Sequence, residues 1–111
     1  MSPNQSLPPA TPSDLNQLID YAEGSVVSKI LLKNSAGNLT LFAFDAGQEL
    51  SEHTAPYDAV VQIVDGEGVL TIDGKRVVAA TGNMVLMPAN IPHAVFAEQR
   101  FKMLLIMIRG N

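Results

Sequence analysis

Gly47-Gln48-Glu49-Leu50-Ser51-Glu52-His53-Thr54-Ala55-Pro56-Tyr57-Asp58-Ala59 contains the first of the chain's two histidines. Gly82-Asn83-Met84-Val85-Leu86-Met87-Pro88-Ala89-Asn90-Ile91-Pro92-His93 ends on the second. Each stretch opens on a glycine suited to a sharp turn, and Pro88 and Pro92 restrict the loop before His93. Short apolar runs with turn residues between them fill the interval, so the pattern places His53 and His93 on facing strands of one small β-barrel.

Outward from these stretches the same period continues. Val26 to Lys33, Leu39 to Asp45, Ala59 to Asp65, Val69 to Asp73, Lys75 to Ala79, Met84 to Met87, His93 to Ala97 and Phe101 to Arg109 read as strands. Asp73-Gly74 between two β-rich runs marks a tight hairpin. Many short strands without intervening helices predict an all-β sandwich or barrel over residues 25–111.

Leu39 to Phe44 and Met103 to Ile108 are apolar on both faces. A barrel strand of a lone chain shows water one face, so something must cover these two. A second copy of the chain is the simplest cover, which predicts a homodimer. An N-terminal helix is the competing cover. Thr11-Pro12-Ser13-Asp14 carries helix-start residues, Leu15, Leu18, Ile19 and Ala22 would share one helical face, and Gly24 would end it, predicting a short helix over 11–24. Residues 1–10, with three prolines among polar residues, read as a flexible arm.

A chain of 111 residues makes one domain. Net charge −4 with seven scattered Lys and Arg argues against a nucleic-acid or anionic-membrane surface. The absence of cysteine rules out disulfides and thiolate chemistry. The N-terminus has no secretory pattern and no apolar run spans a bilayer, so the expectation is a soluble cytoplasmic protein.

The spacing Gly47…His53…Gly66 and Gly82…Pro88…Asn90…His93 resembles the two motifs of the cupin superfamily, G-x5-H-x-H-x3-4-E-x6-G and G-x5-P-x-G-x2-H-x3-N, over roughly residues 39–109. The resemblance implies a jelly-roll β-barrel with a site in its interior or mouth. It places His53 and His93 at two metal-ligand positions, for a divalent Fe, Mn, Ni, Cu or Zn ion held weakly. It also exposes departures. Ala55 stands where a second histidine would be, Ala59 where the glutamate would be, Asn90 at a glycine position and Ala97 at the asparagine.

Two imidazoles alone hold a divalent ion poorly, since closed or catalytic sites draw three or four protein ligands. Tyr57, Asp58, Glu49, Glu52 and Gln62 are the candidate completers; if Ala59 points inward, Asp58 and Gln62 point outward. Some cupin-like epimerases pair a histidine base with a tyrosine acid, and His53 with Tyr57 is the corresponding catalytic candidate pair. Met84, Met87, Met103 and Met107 can shape an adaptable apolar pocket. Two functions follow: a module binding a small molecule, with metal optional, or a metal-dependent enzyme of the dioxygenase or isomerase type with an incomplete protein ligand set. A purely structural, oligomer-forming role is a third.

Overall fold

The computed structural model describes residues 6–109, which form two antiparallel sheets packed face to face. Among these residues the strands are β1 (Val26–Asn34), β2 (Gly37–Phe44), β3 (Glu49–His53), β4 (Asp58–Asp65), β5 (Glu67–Ile72), β6 (Lys75–Ala80), β7 (Met84–Met87), β8 (His93–Phe96) and β9 (Phe101–Ile108). One sheet has the order β1-β2-β9-β4-β7, the other β3-β8-β5-β6. The expected strands are all present within a residue or two. The Asp73-Gly74 hairpin joins β5 to β6, with positive φ at both residues as a two-residue I′ turn requires.

The inner faces interdigitate in a core of Phe44, Val61, Ile63, Leu70, Val95, Phe101 and Met103. Phe44 and Phe101 stack with centroids 4.6 Å apart and planes within 2°. Each such side chain contributes about 1.5–3 kcal/mol on burial. Among the described residues no helix is long and apolar enough to cross a membrane.

The N-terminal helix expected over 11–24 does not form. A single 3-10 turn, Leu15–Gln17, stands in its place. Thr11 does not cap it; its hydroxyl donates to the Pro9 carbonyl, and the Asp14 side chain accepts from the Asn16 amide instead. The sheet takes over the bonds a helix would make. Lys29 Nζ donates to the Leu18 carbonyl (3.1 Å), and Lys102 Nζ donates to the Asn16 carbonyl (2.7 Å) and side-chain oxygen (2.8 Å). A short segment rich in Ser, Asp, Asn and Thr has little helical propensity to set against such partners. Of the arm expected over 1–10, residues 1–5 lie outside the described residues, while the Ser6 and Leu7 amides both donate to the carbonyl of Leu31, where β1 is irregular.

This segment covers part of the outer face of the five-stranded sheet. Leu7, Leu15, Leu18, Ile19 and Tyr21 pack on Leu31, Leu41, Ala43 and Leu104. The Tyr21 hydroxyl donates to Asp65 (2.6 Å), with the Lys102 ammonium 4.9 Å from its ring centroid. The same face continues beyond the segment. Leu32, Leu39, Ile106, Val60 and Leu86 are paired in that order across all five strands, which makes one unbroken apolar row. Leu32 and Leu86 are exposed, and the others are half-buried.

Candidate functional site

The site grows from a one-residue irregularity. In β3 and β8, Glu49 pairs with Phe96 and Leu50 with Val95, but the register then shifts so that His53 pairs with His93. Without the extra residue Glu52 would lie opposite His93. The bulge therefore re-aims the strand end and puts an imidazole, not a carboxylate, on the inner face. The two histidines sit on neighbouring strands of one sheet rather than on strands facing each other. His93 also pairs with Ile72 of β5 and is 5 % exposed, whereas His53 is open to solvent at the mouth.

Both ring orientations are fixed from behind. His53 Nδ1 lies 2.8 Å from the Ser51 carbonyl oxygen, and His93 Nδ1 lies 3.1 Å from that of Ile91. A carbonyl oxygen only accepts, so each Nδ1 carries the proton it donates, and in the neutral ring Nε2 is the nitrogen that keeps a lone pair. The two Nε2 atoms are 3.1 Å apart, with the rings edge to face at 70°. Two lone pairs at that distance repel, so the contact is favourable only with a proton or another positive centre shared between the two nitrogens.

The second-motif loop is held against the first. Asn90 takes φ 65°, the left-handed region that glycine adopts freely and asparagine better than most. The glycine position of the cupin pattern thus keeps its backbone shape here with a different residue. The Asn90 amide donates to the Ala55 carbonyl (2.8 Å), and the Ala89 amide to the Asp58 carboxylate (2.9 Å). Asp58 is spent on this loop and points outward, as the alternation from Ala59 requires.

Behind the imidazoles lies a cavity of about 50 Å³. Ala55 and Ala59 line it at the two positions where the family pattern has further ligands, and Met87, Met103 and Met107 contribute to its apolar wall. Met84 points away and is exposed. Leu50 also lines the cavity and carries no signal in the sequence, because Glu49-Leu50-Ser51-Glu52-His53 lacks the β-branched residues that mark a strand. Tyr57 is not among the lining residues. Its ring carries the Arg109 guanidinium 5.0 Å from the centroid.

A group of three or more His, Cys, Asp or Glu side chains able to hold a metal is absent among the described residues. The donor set therefore does not fit a hard divalent ion needing a full shell of imidazole and carboxylate. It does fit a half-site, since 3.1 Å is a separation compatible with two nitrogens sharing one ion at about 2.0–2.1 Å each. Glu49 and Glu52, proposed as completers, are exposed, and neither lines the cavity.

Comparison with known proteins agrees with this architecture. Residues 40–109 match the family model described as a cupin domain. A protein of unknown function from Streptococcus pyogenes is 34 % identical, with TM-score 0.92 over 100 % of this chain and 97 % of its own. A cupin superfamily protein from Desulfitobacterium hafniense is 30 % identical, with TM-score 0.90 over 98 % of this chain and 100 % of its own. A cupin 2 conserved barrel domain protein from Leptotrichia buccalis is 43 % identical, with TM-score 0.83 over 85 % of this chain but only 46 % of its own. No curated protein matches the chain.

Proposed function

The chain belongs to the cupin superfamily, and from that premise we propose that it is a small binding module whose ligand is held between the Nε2 atoms of His53 and His93. The observation that carries this is the 3.1 Å approach of two nitrogens whose opposite ring atoms are both committed to backbone carbonyls. Such a pair is preorganised for an electron-poor centre, either a metal ion or the acidic hydrogen of a small ligand.

Size narrows the ligand. Pockets for drug-sized organic molecules run to roughly 300–1,000 Å³. A cavity of about 50 Å³ accommodates an ion with one or two waters, or the tip of a molecule whose remainder stays at the open His53 side. The test is the metal content of protein purified without chelator, together with thermal shift against small ligands, in wild type and in the His53→Ala/His93→Ala variant. Binding in the wild type that vanishes in the folded variant supports the module. Equal behaviour of the two proteins overturns it.

A metal-dependent enzyme of the dioxygenase or isomerase type is the second reading. It is favoured by the exposure of His53, because catalytic metal sites keep an open position for substrate. The His53–Tyr57 acid–base pair gains less support, since Tyr57 lies outside the cavity wall.

The proposed assembly is a homodimer through the uncovered part of the outer face. The row Leu32–Leu39–Ile106–Val60–Leu86 supports it, because an apolar stripe spanning a whole sheet is a surface that a second copy can bury symmetrically.

A further inference from the structure

Ala59 marks where the cupin pattern would place a carboxylate, and its neighbours say what fills the space. It pairs directly with Met87 on β7 and with Met107 on β9. Directly opposed residues share a face of the sheet, so both thioether side chains flank the alanine on the inner side. Met87 is buried and, with Met107, lines the same cavity as the two imidazoles. The residues that replace the hard oxygen donor are therefore soft sulfur donors.

We propose that this end of the barrel is a site for monovalent copper, Cu(I), bound by His53 and His93 with the Met87 thioether as third donor. The proposal rests on the reading of the histidine pair as a binding site. Three observations carry it. First, thioether and imidazole together form a donor set that selects Cu(I), whereas carboxylate and water suit Mg, Ca or Mn. Second, every donor is neutral and the wall behind them is apolar. Burying an ion in such a place costs energy that rises with the square of its charge, so one positive charge is tolerated far better than two. Third, Cu(I) is satisfied by two to four ligands, so the losses at Ala55 and Ala59 that starve a divalent ion do not starve this one.

Met107 is the weaker sulfur candidate. Its Sδ accepts from the Asn38 side-chain amide at 3.8 Å, which directs it toward β2. Met103 pairs with Ile63, four register pairs along β9 from Ala59–Met107, so it stands farther from the alanine than Met87, which pairs with Ala59 directly.

The experiment is an anaerobic titration of the full chain with Cu(I) against a chromogenic Cu(I) chelator, with Zn(II) titrated in parallel, followed by copper-edge X-ray absorption. Wild type, Met87→Leu and His53→Ala/His93→Ala are compared; leucine for methionine nearly conserves volume, so the fold survives. The expected result is one Cu(I) per chain with a sulfur scatterer. Met87→Leu should weaken Cu(I) by at least the roughly 10- to 100-fold that loss of even an outer-shell partner costs, and leave Zn(II) nearly unchanged. If Met87→Leu leaves Cu(I) affinity and the absorption spectrum as they were, the sulfur site is refuted while the histidine site stands. If wild type binds Zn(II) or a small ligand but no Cu(I), the copper assignment alone falls. If the double histidine variant binds everything that wild type binds, both readings fall.

Discussion

Gly68 lies where the Phe101 ring leaves no room for a side chain: a Cβ built on it would stand 2.6 Å from Cε2 and 2.7 Å from Cζ. One residue belongs to β5 and the other to β9, so this contact closes the two sheets on each other. The Phe101 ring cannot yield easily, because Phe44 stacks against it. Gly68→Ala should therefore destabilise by overpacking, about 1–3 kcal/mol. Urea denaturation followed by circular dichroism measures it; an unchanged midpoint would mean the ring relocates at no cost.

The two histidines differ in what their removal does to the fold. His53 is exposed, so His53→Ala should change stability by no more than about 0.5 kcal/mol. His93 is buried and donates to the Ile91 carbonyl, so His93→Ala should cost about 1–3 kcal/mol through an unsatisfied acceptor and lost packing. Both should abolish ligand capture. Equal stability losses in the two variants would contradict the burial difference.

Acid should loosen the junction between the N-terminal segment and the barrel. The Asp45 carboxyl accepts from the Gly24 amide (2.6 Å) and from Arg100 Nε (2.7 Å), which hold it down at about 2. An unfolded aspartate titrates at about 3.8, so the stabilising effect is complete above that pH and is lost as pH falls toward 2. Asp45→Asn should flatten this part of the stability–pH profile. Chemical denaturation between pH 5 and 2 reads it, and parallel profiles for the two proteins would refute the role.

The alkaline side has its own marker in Tyr21. Burial, and then its hydrogen bond to Asp65, push its hydroxyl well above the ordinary tyrosine range. With the folded value raised, its contribution is complete below about pH 10 and is lost as pH rises further. Tyr21→Phe removes the donor and leaves a half-buried carboxylate without it, a loss of about 1–3 kcal/mol at neutral pH. Thermal unfolding checks it, and a shift toward higher stability would show that Asp65 finds water instead.

Charge placed in the outer apolar row should prevent dimers. Ile106 pairs with both Leu39 and Val60 at the centre of that row, so Ile106→Lys puts an ammonium in the middle of the proposed interface. Light scattering after size exclusion should show a dimer for wild type and a monomer for the variant. A monomeric wild type at micromolar concentration would remove the assembly.

Strand positions were legible because glycine, proline and β-branched residues mark them, and so was the meeting of the two histidines, though on facing strands rather than as neighbours in one sheet. The strand holding His53 was not legible from propensity, since an edge strand with one neighbour can be made of Glu, Ser and His once β8 supplies its bonds. The bulge that turns His53 inward has no residue signature at all. The helix over 11–24 failed for the opposite reason. Its periodicity is genuine, and Leu15, Leu18 and Ile19 do face a common apolar surface, but lysines of the sheet reach its carbonyls before its own amides can. Asn90 was legible as a departure only; the left-handed backbone shows that the position kept its shape.

The lysines that hold this segment have a practical consequence. Residues 6–24 work as a patch glued over Leu31, Leu41, Ala43 and Leu104, with Lys29 and Lys102 as the main rivets. A chain trimmed to begin at Ser25 would display that greasy surface, and its solubility on expression, rather than its ligand chemistry, would be the first property to suffer.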